Sequence, residues 1–348
     1  MRRILDIALW LVILAVPAIV VAAAGGEDAW SAIEREFIDS LGMTQEDGAL
    51  SATSGAVGEA WFLFFRDLQR FLGLPGFLGY PTCILLAWVL IAVSVAVGVV
   101  ASIGNLAGAL AVLLLAVHPV ARTLGAAMTP WLPAAVFTLI GVAFLQAMAL
   151  PTIQRRRRSA GRVLPRVFAI VGCGLSWGLA SSAEARIGWL MLVPGFLLIL
   201  SVVAVGLTLW RLRDHGGSLH GLLVNPWAIV RRTMPWAACW FFVLALFVWI
   251  YDLLQPAATE RFHGVPAITT LEQVLAWAVV PGMVLLAWRE GELLGYRSQL
   301  GGRTVLFVCL VSFFVVGPAM RSGAGPLERL LQAPALAISV AALARWRI

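Results

Sequence analysis

The chain contains no lysine. All 25 of its basic residues are arginine, and charged residues of both signs fill only 12% of its 348 positions. Soluble domains carry about 25% charged and 45–50% apolar residues. At 61% hydrophobic and a mean hydropathy of +0.92, this composition excludes an ordinary soluble domain. The period-two alternation in segments of roughly ten residues that builds a membrane barrel is also missing. There is no glycine-rich phosphate loop, no His-Glu-x-x-His pair and no Gly-x-Gly-Asp run, so the enzyme classes those motifs mark find no support. Histidine is rare, with four residues, and only His118 lies near an apolar run. The four cysteines, Cys83, Cys173, Cys239 and Cys309, sit in or beside apolar runs with no Cys-x-x-Cys pair and no neighbouring histidine. They read as small buried apolar residues rather than a disulfide frame or a metal site. No cofactor and no metal are expected. The abundance of Arg, Ala, Gly and Val beside absent Lys suggests a GC-rich bacterial gene.

What the chain does have is uninterrupted apolar sequence in runs near 20 residues, the length of a helix crossing about 30 Å of hydrocarbon. Ten such runs follow one another, at 4–21, 81–102, 105–120, 131–150, 163–181, 187–210, 235–254, 271–288, 304–320 and 327–344. The expected fold is an all-α integral membrane protein, a polytopic bundle of about ten transmembrane helices with a small helical segment on the outer face. Three parts are expected: a first transmembrane helix at 1–24, an acidic segment at 25–80, and a nine-helix bundle at 81–348. Met1-Arg2-Arg3 and Ala22-Ala23-Ala24 have the look of a signal peptide, but the run between them is longer than the 7–15 residues of an h-region. A retained helix is expected. Residues 25–80 carry nine acids, a Ser31-x-x-Glu34 capping box, and Trp30, Ile33, Phe37 and Leu41 at helical spacing. Trp61, Phe64, Phe65 and Leu68 mark a second short amphipathic helix. These two helices are expected in the outer interface, where they also offer a surface to a protein partner.

Orientation follows from the arginines. Residues 154–166 hold six of them between two apolar runs: Arg155, Arg156, Arg157, Arg158, Arg162 and Arg166. Flanked by soluble sequence, such a cluster would suggest nucleic acid. Beside spanning helices it is a cytoplasmic anchor. If the runs alternate from a cytoplasmic N-terminus, 17 of the 25 arginines fall inside and 14 of the 18 acids outside. The expected place is therefore a bacterial inner membrane, crossed many times, with both termini cytoplasmic. Arg231 and Arg232, behind an expected short interfacial helix at 222–230, join the 154–166 cluster as contacts for anionic lipid phosphates. Membrane lipids are the expected partners, and nucleic acid is not.

Few polar groups stand inside the runs. Gln146 is the one strong polar side chain well inside an apolar stretch, and His118-Pro119, followed by Arg122, suits an outer vestibule. Asp214, His215 and His220 form the richest polar cluster, at the cytoplasmic face. The five-residue spacing of His215 and His220 does not share one helical face, and Gly216-Gly217 favours a loop. No catalytic residue is assigned. Gly104-x-x-x-Gly108 and Gly174-x-x-x-Gly178 read as close helix packing. Pro17, Pro194 and above all Pro281-Gly282 are expected to kink their helices. Trp10, Trp131, Trp189, Trp210, Trp236, Trp288 and Trp346, near run ends, are expected to form interface belts.

Three functions fit this pattern. The first is a transporter or flippase-like protein for an amphipathic or lipid-linked substrate, since ion-coupled carriers generally need more charge at depth. The second is a non-catalytic membrane subunit docking partners through residues 25–80. The third is an enzyme on a lipid-linked substrate at the cytoplasmic face, through Asp214, His215 and His220. The topology is directly testable. In intact cells a Ser51→Cys variant should react with a membrane-impermeant maleimide, while a fluorescent protein fused after Ile348 should fold and fluoresce in the cytoplasm.

Overall fold

Helices of this sequence must bury their backbones internally and their small faces against one another, and the computed structural model is helical throughout its described residues, with no strand among them. It describes residues 2–24, 76–126, 129, 131–149, 163–183, 185–214, 226–254, 269–294, 302–313 and 325–344. The two expected helices of the acidic segment, at 25–75, lie outside them, as does the arginine cluster at 154–162.

In chain order the helices are α1 (Arg2–Ala24), α2 (Gly76–Ser102), α3 (Asn105–Leu115), α4 (Pro119–Thr123), α5 (Trp131–Ala149), α6 (Val163–Ala183), α7 (Leu192–Asp214), α8 (Pro226–Leu254), α9 (Thr270–Trp277), α10 (Val279–Leu294), α11 (Gly302–Val311) and α12 (Pro326–Ala344). Short 3-10 turns, Leu124–Ala126 and Ala185–Met191, follow α4 and precede α7. Seven helices, α1, α2, α5, α6, α7 with its leading turn, α8 and α12, are long and apolar enough to span a membrane. The α3–α4 pair is an eighth if its two limbs, bent by 58°, count as one span. The expected run at 271–288 is split at Ala278 into α9 and α10, whose apolar part spans Thr270–Leu286. Of the run at 304–320 only the part to 313 is described.

The prolines act differently from the expectation. Pro281 does not kink a helix; it is the third residue of α10, and the break lies at Ala278. A proline ring clashes with the carbonyl four residues back, here Trp277, which is where α9 stops. Pro194 likewise stands in the first turn of α7, where no N–H is needed. Pro17 lies inside an unbroken α1. Pro226, rather than Pro235, starts α8, so the expected interfacial helix and the span after it form one 29-residue helix with Pro235 inside it. The tryptophans differ too. Trp131, Trp189 and Trp236 are buried in protein rather than ranged in an interface belt. Trp88 and Trp177, both fully buried, donate their indole N–H groups to the carbonyls of Gly125 (2.9 Å) and Thr138 (3.1 Å).

Packing rests on glycine. Gly174 and Gly178 of α6 lie against Leu246 and Ile250 of α8. Gly141 and Gly125 receive the indoles of Trp177 and Trp88, and Gly108 receives Val100 and Trp10. Gly104, in the α2–α3 turn, has φ 126°, a conformation L side chains rarely adopt. These contacts sort the helix ends into two sets. The end of α2, the start of α3 and the end of α12 meet at one end of the bundle, with Trp10 of α1 nearby. Gln146, near the end of α5, reaches Ser102 at that same end. The start of α9 meets the start of α12 at the other end, and Trp189 meets Phe313, just past α11, edge to face at 6.2 Å. α2, α5 and α12 thus end where α3 starts, and run opposite to it. α5 and α12 form the interior, with 72% and 78% of their spans buried, against 17% for α1 and 22% for α8.

The closest helix approach supplies a matched test. A Cβ on Gly282 of α10 would lie 2.5 Å from Cα and 2.8 Å from the carbonyl oxygen of Ser339 in α12, whereas one on Gly206 of α7 meets nothing within 4 Å. Gly282→Ala should destabilise the purified protein by about 1–3 kcal/mol, as overpacking does. Gly206→Ala should leave the detergent-solubilised melting temperature unchanged or raised.

Candidate functional site

The polar chemistry gathers around α12 and the broken span beside it. α3 ends at Leu115, and Pro119 opens α4. The elbow leaves backbone groups without helical partners, and local side chains satisfy them. His118 is the N-cap of α4, its Nδ1 accepting the N–H of Val120 at 3.3 Å. Arg122 Nε donates to the carbonyl of Ala116 at 3.3 Å. His118 is buried, at 3% exposure, and its Nε2 has no hydrogen-bond partner. The sequence places His118 near an outer vestibule. His118 stands at the elbow, after the rise of about 16 Å made by the 11 residues of α3.

α4 and its 3-10 turn pack against α12. The first turns of α12 carry Glu328, Arg329 and Gln332, all buried. Arg329 grips Glu272 of α9 in a two-pronged ion pair, Nε to Oε2 at 3.0 Å and Nη2 to Oε1 at 2.9 Å. Thr269 caps α9 by accepting the N–H of Glu272 at 3.2 Å, which fixes the carboxylate's backbone at the helix start. The planar guanidinium fork matches a carboxylate, and burial of both partners demands that match. Lower on α12, Ser339 donates to the carbonyl of Val279 at 3.1 Å.

Gln146 belongs to a different joint. It is 1% exposed, its Nε2 reaches Ser102 Oγ at 3.4 Å, and its side chain fills the space above Gly98. It lies in the joint between α5 and α2, and its buried Oε1 has no hydrogen-bond partner among the described residues. Asp214 is the last residue of α7, but its side chain, and His215 and His220 entirely, lie outside the described residues. So do Arg155, Arg156, Arg157, Arg158 and Arg162. Arg231 and Arg232 are in α8, with only their backbones described. Cys173, Cys239 and Cys309 are buried free thiols. Among the described residues no three His, Cys, Asp or Glu side chains are placed to hold a metal.

Sequence reasoning missed the Glu272–Arg329 pair. Its signals were present: a Thr-x-x-Glu capping pattern at 269–272, and an arginine in the first turn of the last apolar run. Another pattern misleads. Gly174-Leu175-Ser176-Trp177-Gly178 has the Gly-x-Ser-x-Gly spelling of a nucleophile elbow, which needs a strand–turn–helix junction. Here it is mid-α6, where its glycines meet α8.

No protein-family model, curated protein or solved structure matches this chain. The site must therefore be judged by its own energetics. Arg329→Met alone strands a buried carboxylate and should cost about 3–5 kcal/mol. The double variant Glu272→Leu/Arg329→Met should recover most of that loss in a thermal melt. Equal, additive losses would show that the two side chains are not coupled.

Proposed function

We propose that this chain is a multi-pass protein of the bacterial inner membrane, with ten crossings and cytoplasmic termini, that moves an amphipathic or lipid-linked substrate across the bilayer. The direction of α2, α5 and α12, opposite to α3, supports the ten-crossing reading, with α9–α10 as the eighth crossing and α11 as the first part of the ninth. One observation carries the transport reading: a span bent by 58° near its middle, with a buried histidine at the elbow holding one unused ring nitrogen. Irregular backbone at membrane depth is tolerated only inside protein or beside a cavity. Broken helices at that depth are where transporters hold their substrates. An ionisable side chain there marks function by default. Away from this polar end the buried core is apolar, which favours a substrate with a long apolar part.

A second reading, the non-catalytic subunit, draws on Gln146. It is almost fully buried in the joint between α5 and α2, as a residue of a scaffold's interior would be. Residues 25–80 would then supply the outer docking surface.

Flipping of a fluorescent phospholipid in proteoliposomes separates the two. The wild-type protein should accelerate dithionite quenching over empty vesicles. His118→Asn keeps a capping side chain, so it should preserve the melting temperature while lowering the flipping rate at least tenfold. Full activity in that variant would reduce His118 to a cap. No acceleration by wild type, together with a stoichiometric partner in native mass determination, would favour the subunit.

A further inference from the structure

The α9 helix is held to the bundle by charge and not by apolar packing. Of its eight residues only Glu272 is buried, while Leu271, Val274 and Trp277 are 57%, 60% and 70% exposed. Glu272 pairs with the buried Arg329 of α12. In a bilayer an exposed apolar face meets lipid tails as apolar as itself. Those three side chains therefore give no preference for a docked α9 over a displaced one. The ion pair does, because a carboxylate at that burial needs its counter-charge.

The far end of α9 is built to bend. Ala278 follows its last residue, with an N–H that still reaches the Val274 carbonyl at 3.0 Å. Three residues on, Pro281 has no N–H to give the Trp277 carbonyl, so one helical hydrogen bond is missing between α9 and α10. Just past this joint the chain is fixed. Val279 is fully buried, its carbonyl accepts from the Ser339 hydroxyl at 3.1 Å, and Gly282 lies against the Ser339 backbone. A loose helix thus meets an anchored one at a weakened joint, with one charged contact holding its free end.

We infer that α9 is a side gate: an arm that turns about Ala278 and is latched to α12 by the Glu272–Arg329 pair. Its opening uncovers Arg329 and gives a headgroup a sideways route from the bilayer to the polar turns of α12. The arm and its latch stand on the geometry alone; the passage of a headgroup rests on the transport reading.

Hydrogen–deuterium exchange of the full chain in detergent tests the arm, read over residues 273–277 of α9 against 282–286 of α10 and the whole of α12. Glu272→Gln keeps the size of the side chain, and the Thr269 cap uses only the backbone N–H of residue 272. Exchange in α9 should rise at least about tenfold in this variant, with α10 and α12 at wild-type rates. Glu272→Leu/Arg329→Met then separates latch from stability. Its melting temperature recovers, but α9 should still exchange fast, because apolar side chains supply no latch. Equal acceleration in all three helices, unchanged exchange in α9, or slow exchange in the double variant would overturn the arm. In the flipping assay the double variant should run at least about threefold faster than wild type, as an unlatched gate would. A freed α9 with an unchanged flipping rate would overturn the gate and leave the transport reading standing. Wild-type protein that flips nothing would overturn the transport reading and the passage with it, while the exchange rates still decide the arm.

Discussion

Hydrocarbon offers no hydrogen bonds, and described breaks in helix draw partners from within the protein. The elbow between α3 and α4 is the clearest case. It frees an amide that His118 accepts from and a carbonyl that Arg122 donates to. Ser94, Ser181, Ser182 and Ser312 turn their hydroxyls back onto carbonyls of their own helices. The indoles of Trp88 and Trp177 reach across to carbonyls on neighbouring elements. The Glu272–Arg329 ion pair obeys the same rule for charge. Neither partner is tolerable alone at that burial, so each fixes the position of the other's helix.

That rule explains why glycine, rather than bulky apolar packing, shapes the bundle. Lipid tails are as apolar as leucine, so helices gain nothing from apolar burial alone and gain by approaching closely. Gly282 against Ser339, Gly174 and Gly178 against α8, and Gly141 against Trp177 are such approaches. Each glycine serves as a socket for one named neighbour.

Much of this was legible in the sequence, and the reasons are physical. Apolar length marks the spanning helices, because the bilayer imposes it. The Gly104 turn was readable as well, and its φ of 126° explains the residue. What escaped depends on partners far apart in sequence. Nothing local to Glu272 says that Arg329, 57 positions on, will meet it. Nor could the tryptophans near run ends be divided into interface anchors and buried knobs, since both tasks place an indole at the same depth. Proline was read as a bend, but its steric reach is backward by one turn, so Pro281 ends the helix before it. Gln146 stood out correctly as an isolated polar group. Its place, over Gly98 in the joint between α5 and α2, depended on a glycine 48 positions earlier in a different helix.

The distribution of burial carries a consequence for deletion. α1 is among the least buried of the spanning helices, and α12 is the most buried. α12 packs on α3, α5 and α10 and carries the arginine that Glu272 requires. Without α12, Glu272 of α9 would lose its counter-charge and Gly282 of α10 its close neighbour in one step. Deleting that single helix would remove the most buried span and keep the most exposed ones.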